Sequence, residues 1–267
     1  MNFDRTDYLS RPVPIEKELL TLFSDNDPIT IFEIGACEGE DSIRYSRMFP
    51  MSKIYAFEPL PKNISLIEGN FIKHEVKNVC FFNLALSSEN GKAEFYVSQG
   101  RPEGVPETDW DYGNKSSSLL APDKHKELAA FIEFNEKILV DTVTLESFCE
   151  THKINNIDFI HMDVQGAELM VLHGAGKFIY SIKSIWLEVA NIHLYKNQPL
   201  ADDIELFMLE HNFVLAKDCV EGIQGDQLYI SKRYFPKYET VIKKFNSSGN
   251  TSFTSRVLMK LKRFISG

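Results

Sequence analysis

Residues 29–42 read ITIFEIGACEGEDS, an apolar β-rich run that passes through Glu33-Ile34-Gly35-Ala36-Cys37-Glu38-Gly39 into a helix starting near Asp41 or Ser42. Glycine at 35 and 39 lets the backbone turn sharply and approach a ligand, and the helix start presents free N–H groups. Glycines also serve ordinary strand-to-helix turns, so the loop alone does not decide between a ligand cradle and a simple connection. The next apolar run, 53–57, ends in Glu58-Pro59. That puts a carboxylate at a strand tip about 20 residues beyond the loop, the offset at which an acid accepts hydrogen bonds from ribose hydroxyls in nucleotide-binding α/β folds.

Outward from this pair, short apolar runs alternate with helical patterns as far as Ile230. The expected strands are 30–34, 53–57, 79–84, 157–162, 184–189, 213–216 and 227–230, and the expected helices are 15–23, 41–48, 62–71, 145–152, 167–173 and 202–211. This is the pattern of βαβ units and a mainly parallel sheet with helices on both faces, hence an α/β fold. Three parts are expected: a helical lead-in at 1–28, a main domain at 29–231 and a basic tail at 232–267. Residues 99–118, rich in Gly, Pro and acids and running into Lys115-Ser116-Ser117-Ser118, read as a flap over the site.

Composition narrows the class. The 267 residues, 43% hydrophobic and 25% charged, are ordinary for a globular protein and exclude global disorder. The first residues lack the basic start and apolar stretch of a signal peptide, no run approaches a membrane span, and a cytoplasmic protein is expected. Cys37, Cys80, Cys149 and Cys219 are far apart and read as reduced core thiols. The formal charge is −9, yet residues 232–267 carry nine Lys or Arg against one acid, Glu239. The acidic body argues against nucleic-acid binding. At the end of the tail Phe253, Val257, Leu261 and Phe264 share one helical face and Arg256, Lys260 and Arg263 another. That helix, 253–265, would lie on an anionic membrane at its inner face, or fold onto the body or a second subunit.

For the ligand, NAD and S-adenosylmethionine both carry adenosine. NAD brings a pyrophosphate and generally uses GxGxxG, whereas this loop is GxxxG with an extra acid, Glu38. Carboxylates repel pyrophosphate and suit the ammonium and sulfonium groups of S-adenosylmethionine, with Glu33 near the amino-acid end. Asn83, Ala85 and Ser87, after the third strand, would pass near the adenine. In the run 157–168 an apolar strand ends at Asp163, Gly166 permits a turn and Glu168 enters a helix. Asp163 would share the crevice with Gly35 and Glu58, although an Asp there also caps helices, and Glu168 can serve the helix dipole. The following strand ends at Glu188, with Asn191, His193 and Tyr195 in its loop. Any reaction in this crevice that removes a proton needs alignment and a base. His193, with an ordinary pKa of about 6.5, is the expected base, and Asp163 or Glu188 its orienter or substitute. The same acids with His193 offer hard ligands for a divalent ion binding a sugar diol, but no metal is expected as a fixed component. His74, His125, His152 and His173 show no metal spacing.

An ordered series of motifs then resembles the FkbM family of S-adenosylmethionine-dependent methyltransferases: FEIGACEGEDS at 32–42, YAFEP at 55–59, NLALSSENGKAEFYV at 83–97, SSSLL at 116–120, VDTVTLESF at 140–148 and IDFIHMDVQGAELMVLHGA at 157–175. The resemblance implies a seven-stranded Rossmann-like class I methyltransferase fold and transfer to hydroxyls of sugars, glycan precursors or related metabolites. The expected cofactor-binding positions are Glu33, Gly35, Ala36, Cys37, Gly39, Glu58, Asn83, Ala85 and Asp163. Where the family pattern commonly has Lys and Glu, this chain has His161 and Gln165. Two other readings stay open at this point, an NAD-dependent oxidoreductase and a cofactor-fold binding protein without catalysis.

Overall fold

The computed structural model describes residues 5–106 and 112–246. Seven strands form the main sheet: β1 (Thr30–Ile34), β2 (Lys53–Phe57), β3 (Val79–Phe82), β7 (Ile157–Met162), β8 (Ile182–Ala190), β9 (Phe213–Asp218) and β10 (Gln224–Ser231). Their order is β3-β2-β1-β7-β8-β10-β9. Neighbours are parallel from β3 to β8, while β10 runs antiparallel to both β8 and β9. Strand order reverses between β1 and β7, and in open α/β sheets the crevice beyond the strand ends at that point is where ligands bind.

Alternation along the strands divides the core. Phe32, Ile34, Ile160, Met162, Ile185 and Leu187 pack with Leu145 and Phe148 of α6 (Leu145–His152), Val171 and Leu172 of α7 (Glu168–Gly174), and Ile204 and Met208 of α8 (Ala201–Glu210). Ile31, Phe159, Trp186 and Leu228 point to the other face, against Leu19 of α2 (Glu16–Leu22) and Tyr45 of α3 (Glu40–Met48). With both faces covered, the continuous apolar runs of the sequence are explained.

Three strands depart from the expected pattern. β4 (Ala85–Leu86), β5 (Gly91–Gln99) and β6 (Glu133–Val143) make a separate sheet, ordered β4-β6-β5. It buries Ala85, Phe95, Val97 and Val140 against Leu60 and leaves its outer face to solvent, with Leu139 67% exposed. The expected flap therefore begins on a strand, since Gln99 closes β5, and ends in a short 3-10 turn at Asn114–Ser116. The expected basic tail is also divided. α9 (Tyr238–Asn246) joins the body by packing Val241, Ile242 and Phe245 into the α2 side of the core, whereas the 253–265 helix lies outside the described residues. Two cysteines differ from expectation as well: Cys149 is buried, but Cys80 and Cys219 are exposed free thiols. At the start of the chain α1 (Arg5–Ser10) docks on α3 through Arg5 to Glu40 at 2.9 Å, Arg5 to Glu38, and the Tyr8 hydroxyl donating to Asp41. Among the described residues no helix is long and apolar enough to cross a membrane.

Candidate active site

The Gly35 and Ala36 N–H groups donate to the Phe57 carbonyl at 3.0 and 2.9 Å, which locks the β1 loop beside the tip of β2. Gly35 has φ +91°, and a Cβ there would sit 1.9 Å from the Asp163 carbonyl oxygen. Only glycine allows the tips of β1 and β7 to approach this closely. Glu58, 6% exposed, accepts from the Cys37 N–H at 3.0 Å and from the Leu60 N–H at 2.8 Å. Burial pushes its carboxyl up to about 7, and those two N–H groups oppose the rise. With the Asn63 side chain as a third partner, the carboxylate still has acceptor capacity for a ribose hydroxyl.

Gly35, Ala36, Cys37, Glu58 and Asp163 line one pocket that opens to solvent on one side. Of the expected cofactor positions, Glu33, Gly35, Ala36, Cys37, Glu58, Ala85 and Asp163 are in its wall. Gly39 and Asn83 are not. Gly39 adopts φ +83° ahead of α3, where a Cβ would meet the Phe71 ring at 2.7 Å. Asn83 turns back, its amide donating to the Glu58 carbonyl at 2.8 Å. The Cys37 thiol is pushed up to about 12 by burial, with the Lys115 ammonium 3.6 Å away opposing the shift, so it is no nucleophile at neutral pH.

The second wall begins at the tip of β7. Asp163 is exposed to the cleft, and the Gln165 amide donates to its Oδ1 at 2.7 Å and to Glu188 at 3.0 Å. The Gln224 amide holds the other Glu188 oxygen at 3.1 Å. Protein packed around the Asp163 carboxyl raises it by desolvation, while Gln165 and His161 pull it down and Asp41 pushes it up. Glu188 rises for the same first reason, reinforced by the charges of Asp163, Glu168 and Asp226. Glu168 has a local task, its Oε1 accepting the N–H groups of Val164 and Gly166 at 3.2 Å each.

His193 is placed elsewhere. Its Nδ1 lies 2.9 Å from the Gln198 carbonyl, and its ring faces a separate depression with Leu169, Met170 and Pro199. The cause is the loop after β8, where the Gln198 side chain accepts from the N–H groups of Leu194 and Tyr195 at 2.8 and 3.1 Å and folds the chain back. Tyr195 therefore points inward, 1% exposed, its hydroxyl 2.7 Å from the Ser116 carbonyl and 2.9 Å from Gln165 Oε1. Ser118 donates to the Gln165 carbonyl at 2.8 Å, so the serine run is tied to the same wall.

His161, Gln165, Tyr8, Lys115 and Tyr195 are the residues that sequence reasoning did not place in the site. The first four line the pocket and Tyr195 supports it. For His161 and Gln165 a signal was present, since both sit inside the most specific motif at positions where this chain departs from the family pattern. Two groups have donor atoms within 4.8 Å of one another, Glu33 with Asp41 and His161, and Asp163 with Glu168 and Glu188. Several of their oxygens already have protein partners: Ser42 on Glu33, Tyr8 and Arg44 on Asp41, Gln165 on Asp163 and Glu188, and the Val164 and Gly166 N–H groups on Glu168.

Comparison with known proteins fits this geometry. The profile of the methyltransferase FkbM domain matches residues 33–215. A protein named 2-O-methyltransferase NoeI from Sinorhizobium fredii is 28% identical over 80% of this chain and 84% of its own. Methyltransferase 1 of Beauveria bassiana is 26% identical over 55% of this chain and 59% of its own. A SAM-dependent methyltransferase structure from Aquifex aeolicus covers 85% of this chain and 98% of its own at 15% identity, with a TM-score of 0.40; so distant a likeness adds nothing to the topology. The nicotinamide and non-catalytic readings are not favoured. The chain belongs to the FkbM methyltransferase family and is an S-adenosylmethionine-dependent methyltransferase.

Proposed function

We propose that the enzyme methylates a hydroxyl group of a sugar or glycan precursor, with Asp163 as the base. The observation that carries this reading is the second wall. Asp163 and Glu188, bridged by Gln165, present carboxylate lone pairs beside the cofactor pocket. Carboxylates and amides spaced along a cleft accept hydrogen bonds from hydroxyls, so the wall suits a polyol better than a flat apolar acceptor. The O-methyl specificity in the name of the S. fredii relative agrees with transfer to oxygen.

Bound S-adenosylmethionine supplies an electrophilic methyl carbon and keeps the broken C–S bonding pair on sulfur. The cradle fits it. Glu58 would take the ribose hydroxyls, the Gly35–Cys37 turn would pass beneath the sulfonium end, and Leu84, Ala85 and Leu86 supply apolar surface for the adenine. Asp163 would hold the acceptor hydroxyl in line with the methyl carbon and accept its proton as the new O–C bond forms. The Gln165 amide fixes the orientation of the Asp163 carboxylate. His193, outside the pocket wall, has no part in this step.

The test is release of S-adenosylhomocysteine in the presence of sugar acceptors, with Asp163→Asn as the control. Sugar-dependent release that collapses in D163N supports the proposal, and sugar-dependent release that survives in D163N removes Asp163 as base.

A further inference from the structure

We infer that the acceptor is an uncharged glycoside, and that uronic acids, sugar phosphates and nucleotide-linked sugars are excluded by the wall that must receive the reacting hydroxyl. This deepens the sugar-hydroxyl reading and rests on it.

The first argument is the inventory of donors. Both N–H bonds of the Gln165 amide are used, on Asp163 and Glu188, and its oxygen accepts from Tyr195. The Gln224 amide is turned onto Glu188. The side-chain amides of this wall therefore face carboxylates, and the wall offers the acceptor lone pairs. A neutral sugar supplies hydroxyl donors to such a surface. A phosphate or carboxylate brings further lone pairs and loses water without replacement.

The second argument is the placement of charge. Cations serve the α3 side of the pocket, where Arg5 pairs with Glu40 and Arg44 with Asp41, at 2.9 and 2.8 Å. Lys115 stands over Cys37 at the cofactor end. On the acceptor side Asp163 and Glu188 are joined by Asp226, directly across from Glu188 in the β8–β10 pairing. The ion pairs among the described residues include none with these three acids. Of the basic groups that line the pocket, the His161 imidazole lies on the Asp163 side and the Lys115 ammonium at the Cys37 end. Asp226 is pushed up to about 6 by burial, with His161 opposing and Asp163 and Asp41 adding to the rise, so these acids already feel one another's charge. A further anion among them meets like-charge repulsion in a partly dehydrated recess.

A charge series on one sugar ring tests this. The probes are methyl glycosides of glucose, galactose and mannose with neutral oligosaccharides built from them, the matching 6-uronates, the 1-phosphates and the uridine diphosphate sugars. Each is assayed for S-adenosylhomocysteine release in EDTA and again with magnesium. The neutral member is expected to exceed its anionic counterparts in kcat/KM by at least about 100-fold in both buffers. Glu188→Gln, with fold checked by circular dichroism, is expected to narrow the neutral-to-uronate ratio about tenfold. An anionic sugar used as well as its neutral partner in either buffer overturns the inference while leaving the sugar-hydroxyl reading intact. Cofactor binding with no release for any sugar removes that reading, and the inference with it.

Discussion

The two halves of the pocket are built in different ways. The proposed cofactor half is made by the tips of neighbouring parallel strands: a glycine that lets β1 and β7 touch, and a carboxylate at the end of β2 fixed by the Cys37 and Leu60 N–H groups. The proposed acceptor half is a meeting of distant segments, in which Asp163, Glu188 and Tyr195 meet the Gln165 side-chain amide, Ser118 holds the Gln165 backbone carbonyl and Gln224 holds Glu188. On the proposed assignment, binding depends on the strand tips and transfer on side chains brought in from distant segments. Substitutions should therefore separate the two functions.

The largest expected effect is on transfer alone. Asp163→Asn should lower turnover by roughly 10²- to 10⁴-fold, the usual range for a general base, with S-adenosylmethionine affinity by calorimetry within about threefold of wild type. A joint loss of both would merge the halves. Next in size is Glu58→Ala, which removes a charged acceptor for two hydroxyls and should weaken cofactor affinity by about 1.5 to 3 kcal/mol. This site also predicts a pH dependence. Because the Glu58 carboxyl is raised to about 7, lowering the pH through 7 protonates it and weakens cofactor binding, whereas raising the pH strengthens it. E58A should lose most of that slope, and a mutant with the wild-type slope would assign it to another group.

Smaller effects probe the joint. Tyr195→Phe deletes the hydroxyl that ties Ser116 and Gln165 together, about 1 kcal/mol, and should cut kcat/KM for the acceptor roughly fivefold without changing cofactor affinity. Smallest of all, His193→Ala should change turnover by less than about twofold, because the ring is turned into a different depression. A drop of 100-fold in H193A would return the base to that loop.

The same contrast explains what could be read from the chain. Strands 30–34, 53–57 and 157–162 were legible because burial on both faces leaves continuous apolar runs, and these match β1, β2 and β7 residue for residue. β5 and β6 were missed because one face of their sheet is wet, so the buried Phe95, Val97 and Val140 are interleaved with less buried positions such as Glu94, Tyr96, Leu139 and Asp141 that break the continuous apolar run. That Gly35, Glu58 and Asp163 share one pocket was legible because turn geometry and strand ends fix their positions. His193 was misleading because its orientation depends on Gln198 folding the loop back, a contact with no local signature, and the same fold hides the inward turn of Tyr195.

The central claim, methyl transfer to a sugar oxygen at the junction of the two halves, is tested most directly with S-adenosylmethionine labelled by ¹³C in the methyl group. The label is to be followed by NMR into a panel of neutral glycosides and oligosaccharides. The account predicts a labelled methoxy carbon correlated to one ring or exocyclic carbon of a sugar, and none in D163N. Label arriving on nitrogen, sulfur or carbon, or a methoxy product formed equally well by D163N, would contradict it.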